Sequence, residues 1–457
     1  MLFWSFNMRQ PFLGRGLLSL SQRLRNFGSL DVLAKIRDEP FVSVEEVQKR
    51  QFQRLQKLLH HAETHVPYYR KLFNSLGITS AVVRNWADFE RLPVLTKDMI
   101  RVNQQDLIRD DVARETLEPH HSGGSTGVPL NFFRDKQYMV ASEAGTFRNM
   151  MACGWKPGEM VAFFWGSNER IAKMSRLEFE ARQILRRMYL FDPFQSGSED
   201  MNRWLKRWKT LGATAILGYS STIARFAQHI KTTSAHVAPL RGVFTTAEKL
   251  YPEQREIISQ VFSCPVFDCY GSSEVQNIAA ECARGKMHIN CDYVVLELDQ
   301  SSTPGQPAPF LVTSLLNYSM PFIRYRNEDC GGLEAGSCSC GNNFPLMKLQ
   351  IARVSDNFTL PDGRVVHGEF FTHLMYGSQG ITNFQFHQTA PDEIVLWVVP
   401  GPGHTEQREQ CIRSAVGQLE KLGSREHPMR IQVRESEAIP LSSAGKHRFT
   451  RSDVQTS

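Results

Sequence analysis

The chain has 457 residues, of which 41% are hydrophobic and 22% charged, a composition that excludes a disordered or fibrous protein. Lysine and arginine number 53 against 47 acidic residues, without the concentrated basic blocks of a dedicated nucleic-acid-binding protein. No apolar run approaches the roughly 20 residues of a membrane-spanning helix, and the length predicts two or three compact units.

Residues 1–42 are predicted to form an N-terminal extension. Four arginines but no acid precede Asp31, and the segment lacks the continuous apolar core and cleavage site of a secretion signal. We therefore expect a segment that packs on the protein surface or attaches peripherally to a membrane.

The first predicted helix begins at Ser43, where Ser-Val-Glu-Glu has the pattern of a capping box. Apolar residues at Phe52, Leu55, Leu58 and Ala62 follow at the spacing of one helix face. We expect Pro67 to end this helix.

The middle of the chain has the pattern of an α/β domain. Short β-branched or aromatic runs alternate with longer helix-compatible stretches, and the clearest such runs are residues 161–165, 215–217, 242–245 and 265–267. This alternation is typical of a sheet covered by helices. Ligands are then expected at the loops that leave the strands.

The pattern of predicted elements changes near residue 353. Pro361-Asp-Gly363 predicts a turn, residues 393–398 a strand, and residues 412–419 a helix. We predict a large multi-layer α/β domain over residues 43–352 and a small, mobile α+β lid over residues 353–457.

The sharpest local motif lies between His120 and Pro129. It contains Ser122, Gly123, Gly124, Ser125, Thr126 and Gly127. Glycines let backbone amides converge on an anion, and the hydroxyls can bind phosphate oxygens or Mg²⁺. The motif lacks the lysine of a Walker loop, so the alternative is an ordinary surface turn.

Two further motifs follow predicted strands. In the first, Tyr270 could stack on a flat base, and Glu274 could ligate Mg²⁺, which prefers oxygen donors. In the second, Asp329 could accept both hydroxyls of a ribose. Taken singly, a solvated acid or a surface ion pair explains each motif as well.

Together with a lysine near the end of the chain, these motifs resemble the AMP-forming acyl-CoA synthetase superfamily. Within it, the chain is similar to the phenylacetate-CoA ligase group and its CapK-like relatives in capsular polysaccharide biosynthesis. The resemblance covers most of the chain from about residue 45. Secondary motifs of that group are matched by residues 65–70, 92–97, 216–221 and 245–248.

The resemblance implies a role for each matching residue. Ser122 to Gly127 would bind phosphate, Glu248 would lie beside the adenine, and Tyr270 would stack on it within a nucleotide site that includes Gly271 and Ser272. Glu274 with Thr126 would hold Mg²⁺, and Asp329 or its neighbour Glu328 would bind the ribose, with Asp329 favoured. Arg353 would contact the ribose, Asp356 would mark the hinge, and Lys446 would reach the substrate carboxylate and α-phosphate.

Four residues are predicted to bind structural zinc: Cys282, His288, Cys338 and Cys340. Three thiolates and an imidazole suit a closed tetrahedral site, and similar pairs in the resembled group are associated with bound zinc. Cys291 or Cys330 could replace one ligand, and unligated reduced thiols are the alternative.

The resemblance implies activation of a carboxylic acid by ATP to an acyl-adenylate, with transfer to coenzyme A. An amine, hydroxyl or carrier acceptor is the close alternative, and a non-catalytic, zinc-stabilised nucleotide-binding protein is the alternative of another class. We expect no nucleic-acid partner and no transmembrane segment, and a homodimer stays open. The cysteine usage favours the cytoplasm, with peripheral membrane attachment as an open alternative.

Overall fold

One large and one small mixed sheet dominate the fold. The computed structural model describes residues 11–121, 130–166, 174–193, 198–248, 250–300, 308–351, 358–366, 368–375, 378, 380–401, 403–424, 426–439 and 448–454. The α/β class with a small C-terminal domain is confirmed. Among these residues, no helix has the length and hydropathy needed to cross a membrane.

Helices form the N-terminal layer. They are α1 (Pro11–Leu24), α2 (Ser29–Ile36), α3 (Val44–His65), α4 (Pro67–Ser75), α5 (Trp86–Glu90), α6 (Lys97–Val102) and α7 (Lys136–Met151). The Ser43 hydroxyl caps α3 by accepting from the Glu46 amide at 3.3 Å, as the sequence predicts. Pro67 does not merely end α3 but also begins α4, because proline suits the first turn of a helix.

The large sheet has eleven strands in the order β10-β11-β12-β13-β9-β8-β7-β6-β5-β3-β4. Its strands are β3 (Val161–Phe164), β4 (Met188–Phe191), β5 (Ala215–Tyr219), β6 (Gly242–Thr246), β7 (Val266–Tyr270), β8 (Ala279–Glu281), β9 (Met287–Ile289), β10 (Val294–Leu298), β11 (Ala308–Ser314), β12 (Tyr325–Glu334) and β13 (Leu346–Ile351). The four predicted strands in this region correspond to β3, β5, β6 and β7.

The large sheet changes character at β7. Strands β3 to β7 pair in parallel, whereas β7 pairs with β8 in the antiparallel sense. Helices α8 (Arg176–Arg186), α9 (Ser198–Leu211), α10 (Ser220–Thr232) and α11 (Pro252–Phe262) accompany the parallel half. Every residue of β5 is buried, as expected of a central parallel strand.

A separate apolar core lies in the C-terminal part of the chain. It forms between helices α12 (Gly368–Leu374) and α13 (Thr405–Glu420) and the strands β16 (Ile381–Ala390), β17 (Glu393–Pro400), β18 (Arg430–Glu435) and β19 (Thr450–Ser452). A small hairpin, β14 (Phe358–Thr359) and β15 (Val365–Val366), surrounds the predicted turn. The predicted boundary at residue 353 lies outside the described residues.

The described part of the N-terminal extension packs closely on the large domain. Leu18, Leu33 and Ile36 belong to the main apolar core. Gly14 meets Gly158 so closely that an added Cβ would come within 2.1 Å of the Gly158 carbonyl oxygen. The extension is therefore part of the packed structure from residue 11 onward.

A buried ion pair joins α7 to the loop before β10. The Arg148 guanidinium donates to both carboxylate oxygens of Asp292, at 2.5 and 2.8 Å, and to the Asn290 side chain at 3.0 Å. The two charged side chains are 6% and 2% exposed. Removal of one partner would leave a buried charge uncompensated.

We expect Arg148→Met to lower the free energy of unfolding by about 3–5 kcal/mol, because Asp292 would stay buried without its cation. Urea unfolding followed by tryptophan fluorescence measures this loss. The matched control is Asp38→Asn, which breaks the fully exposed pair of Arg37 and Asp38 and should leave the midpoint unchanged. Equal urea-unfolding midpoints for the two variants would contradict the stabilising role of the buried Arg148–Asp292 pair.

Candidate active site

A cavity of 1430 Å³ opens at the carboxyl ends of the central parallel strands. Its lining includes Ser220 and Ser221 after β5, Glu248 after β6, and Gly271 and Ser272 after β7. Ligands of α/β proteins bind at this edge of a sheet. The volume exceeds the roughly 300–1,000 Å³ of ordinary small-molecule sites, so the cavity can hold more than one ligand group.

Two predicted site residues meet in this cavity, although they are 59 positions apart in sequence. The Tyr270 hydroxyl on β7 donates to Asp329 Oδ2 on β12 at 3.0 Å. Asn327 donates to the same hydroxyl at 2.8 Å, and its own amide oxygen accepts from the Asp329 backbone amide at 3.2 Å. The carboxylate of Asp329 is thereby held at a fixed place in the cavity wall.

Asn327 was not among the predicted site residues. It lies two positions before Asp329 on β12, and alternate residues of a strand face the same side of a sheet. Its side chain is 1% exposed. The period of a strand through residues 325–329 would have identified it.

Glu248 lines the cavity and also contacts the start of α10. Its carboxylate accepts from the Ser221 backbone amide at 2.8 Å, from the Ser221 hydroxyl at 3.0 Å, and from the Ser220 hydroxyl at 3.2 Å. A negative charge stabilises the positive end of a helix dipole. The sequence motifs at 216–221 and 245–248 are therefore in direct contact.

Glu274 is fully buried, and its neighbours Ser272 and Ser273 line the cavity. The Tyr325 hydroxyl donates to Glu274 Oε1 at 3.2 Å. Burial lowers the pKa of the nearby Arg134, and the charge of Glu274 partly offsets that effect. Arg134 also donates to the Ser273 carbonyl, so a cation supports the loop that carries Ser272 and Glu274.

The phosphate-loop residues Ser122, Gly123, Gly124, Ser125, Thr126 and Gly127 lie outside the described residues, as do Arg353, Asp356 and Lys446. The structure does describe the two strands that flank this loop. Strands β1 (Glu118–His121) and β2 (Asn131–Arg134) pair in the antiparallel sense with His121 opposite Asn131, which brings the two ends of the loop together.

His120, on the first of these flanks, lines the cavity. Its ring stacks on Phe132 with centroids 5.8 Å apart. Burial, with help from the charges of Arg134 and His121, lowers the pKa of His120 to about 4. A neutral imidazole therefore stands beside the predicted phosphate loop at physiological pH.

A second part of the cavity wall is apolar. Phe163, Leu217 and Phe244 come from the adjacent strands β3, β5 and β6 and lie side by side in register. Met139 and Met150 of α7 also line the cavity. An apolar group attached to a ligand at the strand ends would have a dry surface here.

The four predicted zinc ligands come together on the large sheet. The ligand atoms of Cys282, His288, Cys338 and Cys340 all lie within 4.8 Å of one another. Cys282 Sγ is 3.7 Å from Cys338 Sγ, and Cys340 Sγ is 3.4 Å from His288 Nε2. Within the described residues, neither alternative ligand named from the sequence, Cys291 or Cys330, belongs to the cluster.

The chemistry of this cluster fits a metal ion. His288 Nδ1 lies 3.0 Å from the Phe344 carbonyl oxygen, which can only accept, so Nδ1 carries the proton and Nε2 offers its lone pair. Burial lowers the pKa of His288, which favours the neutral, ligating form. An ion here would link the β8–β9 hairpin to the β12–β13 hairpin.

Comparison with known proteins gives a consistent set of relatives, although no family model matches the chain. Protein CapK of Staphylococcus aureus is 22% identical over 371 residues, covering 76% of this chain and 77% of CapK. Phenylacetate-coenzyme A ligase of Thermus thermophilus is 23% identical over 68% of this chain and 71% of the relative. The Escherichia coli phenylacetate-coenzyme A ligase is 25% identical over 65% of this chain and 69% of its own.

These relatives support the AMP-forming acyl-CoA synthetase superfamily for this chain. The chain is an enzyme of the AMP-forming ligase class. A solved structure of 2-hydroxyisobutyryl-CoA ligase, in complex with 2-HIB-AMP and CoA, has the same fold, with a TM-score of 0.61, 19% identity, and coverage of 91% of this chain and 92% of that one.

For this ligase we predict about one zinc ion per chain and its loss in the Cys338→Ser/Cys340→Ser variant, because two of four ligands are removed. Mass spectrometry of metals in the purified protein measures the stoichiometry. The variant should also unfold at a lower temperature. Cys411→Ser, outside the cluster, is the control and should retain the metal; wild type without stoichiometric metal and a variant of unchanged stability would contradict this prediction.

Proposed function

We propose that the enzyme uses ATP to convert a carboxylic acid into an acyl-adenylate and then transfers the acyl group to coenzyme A. The observation that carries this proposal is a single cavity with two chemically different walls. One wall holds Tyr270 and Asp329 at the strand ends, and the other is the apolar row of Phe163, Leu217 and Phe244. An acyl-adenylate has the matching polar and apolar parts.

The nucleotide would occupy the polar wall. In this proposal, Asp329 accepts from the ribose hydroxyls, for which a held carboxylate offers two oxygens, and Tyr270 stacks on the adenine. The Tyr270 hydroxyl would keep its bond to Asp329, so the two contacts support each other. Glu248, Gly271 and Ser272 would complete this wall.

The adenylation step requires a cationic clamp. Attack of a carboxylate on the α-phosphorus brings two anions together, and positive charge must offset their repulsion. When bound, Mg²⁺ would supply part of that charge. Glu274 offers the hard oxygen donor that Mg²⁺ prefers, and Thr126 and Lys446 are proposed to supply the second donor and a further cation.

Glu274 would contact Mg²⁺ from the buried side of the site. Its side chain is fully buried and accepts from Tyr325, so it would act from beneath the loop of Ser272 and Ser273. The phosphate-loop residues Ser122 to Gly127 are proposed to bind the phosphates that the ion would contact. The β1–β2 hairpin supports that arrangement, because its cavity-lining residue His120 adjoins the loop.

Coenzyme A is the proposed final acceptor. Several relatives are named phenylacetate-coenzyme A ligase, and the structural neighbour is a CoA ligase. CapK carries no acceptor in its name, so transfer to an amine, hydroxyl or carrier protein is the second candidate. The non-catalytic alternative is not favoured, because the chain is an enzyme of the AMP-forming ligase class.

The C-terminal domain is proposed to act as a lid that turns about Asp356. One described contact joins this domain to the large domain: Arg225 of α10 donates to the Val365 carbonyl at 2.9 Å. Lid rotation would break and remake contacts of this kind. It would also carry Lys446 into and out of the cavity.

We predict that Lys446→Ala abolishes ATP–pyrophosphate exchange, screened over aryl, fatty and amino acids, while thermal stability changes little. Lysine provides charge in the transition state and contributes little to packing. The matched control is Lys421→Ala, an exposed lysine of the same domain, which should exchange normally. Full exchange by the Lys446 variant would exclude its proposed role.

The apolar row predicts a second effect on activity. Leu217→Trp should raise the KM for bulky acids at least about tenfold, because the larger ring fills the space beside Phe163 and Phe244. The KM for ATP serves as the internal control and should stay within about twofold, since the nucleotide would occupy the other wall. A parallel rise in both values would show that the acid does not lie on this row.

A further inference from the structure

An exposed apolar stripe runs along α1. Leu13, Leu20 and Leu24 are 45%, 47% and 73% exposed, and their spacing places them on one face of the helix. The opposite face is buried, with Leu18 at 3% exposure in the main core. Helix α1 therefore has one apolar face packed on the protein and a second apolar face in solvent.

A neighbouring helix adds a further exposed leucine. Helix α8 packs against α1, and near its start Leu177 is 84% exposed. Glu178, the next residue, lines the same cavity as Leu24 and Arg25 of the α1 segment. We call the face formed by Leu13, Leu20, Leu24 and Leu177 the leucine surface.

The charges around the leucine surface are mainly positive. On α1, Arg23 is exposed on the side next to the leucine stripe, and Arg176 is exposed beside Leu177, where Glu178 is the exposed acid. The sequence through residue 30 contains no acid. Exposed apolar side chains flanked by arginines are the composition of helices that lie in the interface of an anionic membrane.

We propose that the leucine surface docks this enzyme onto an anionic lipid bilayer. The leucines would enter the boundary between headgroups and acyl chains, and Arg23 and Arg176 would contact lipid phosphates. A partner that is only apolar would not account for the arginines, which a negatively charged surface attracts. Because Leu24 lines the cavity, docking brings that end of the cavity close to the membrane.

The test is flotation of the full-length protein with vesicles of phosphatidylcholine alone or mixed with phosphatidylserine. We expect the protein to float with the mixed vesicles and much less with the neutral ones. About 0.5 M salt should release it, because screening shortens the reach of the charges to a few ångströms. The docking proposal does not depend on the acid or acyl acceptor that the enzyme uses.

The Leu13→Ser/Leu20→Ser variant should lower the partition coefficient on mixed vesicles at least about tenfold, because two apolar side chains no longer enter the bilayer. The matched control is Val82→Ser/Val102→Ser, at residues that are 49% and 83% exposed elsewhere in the N-terminal helical layer. It should bind as wild type does. Thermal unfolding should be unchanged in both variants.

Three outcomes would overturn the proposal. The first is that wild type floats with neither kind of vesicle, and the second is that the leucine variant and the control bind equally well. The third is a stable dimer in sedimentation experiments that the leucine variant dissociates, since the leucine surface would then be covered by a second copy of the chain.

Discussion

The place of β7 in the large sheet decides where the candidate site forms. This strand pairs in parallel with β6 on one side and in the antiparallel sense with β8 on the other. Its carboxyl end therefore faces the helix-covered parallel half and the hairpins of the antiparallel half together. The bond from Tyr270 to Asp329 crosses this junction, and the cavity opens beside it.

The same junction links the metal-type cluster to the site. Cys282 and His288 belong to the β8–β9 hairpin, which lies next to β7, and Cys338 and Cys340 lie in the connection between β12 and β13. Asp329 is on β12. An ion at the cluster would therefore fix the relative positions of the strands that carry Tyr270 and Asp329 without contacting a substrate. Its role would be positional, as in closed tetrahedral sites generally.

Local patterns predicted those parts of the fold that local physics determines. Ser43 caps α3, the runs at 215–217 and 242–245 are buried strands, and the Pro361–Gly363 turn is present with Gly363 at a φ of 78°. The alternation of short apolar runs with helix-compatible stretches in the sequence corresponds to the alternation of strands and helices in the parallel half of the sheet. These features depend on neighbours within about one helical turn or one strand.

The missed features depend on contacts between distant segments. Asn327 acquires its role only when β12 lies across from Tyr270, and Glu248 acquires its bonds only when β6 stands beside α10. The strand period places Asn327 on the same face as Asp329, but nothing local in the sequence shows that this face meets Tyr270 or that Glu248 meets Ser221. The cysteine–histidine cluster is the opposite case, because the residue types, the spacing within each pair and the resemblance together predicted that two distant pairs meet.

Helix α1 has a consequence for how the protein is handled. Ser21, Leu24 and Arg25 form part of the cavity wall, and Gly14 is locked against Gly158. Truncating the chain to the segment that resembles known ligases, from about residue 45, would remove this part of the cavity wall and expose the cavity to solvent on that side. The substrate preferences measured on such a truncated protein would be those of an altered cavity. An affinity tag is therefore better fused at the C-terminus.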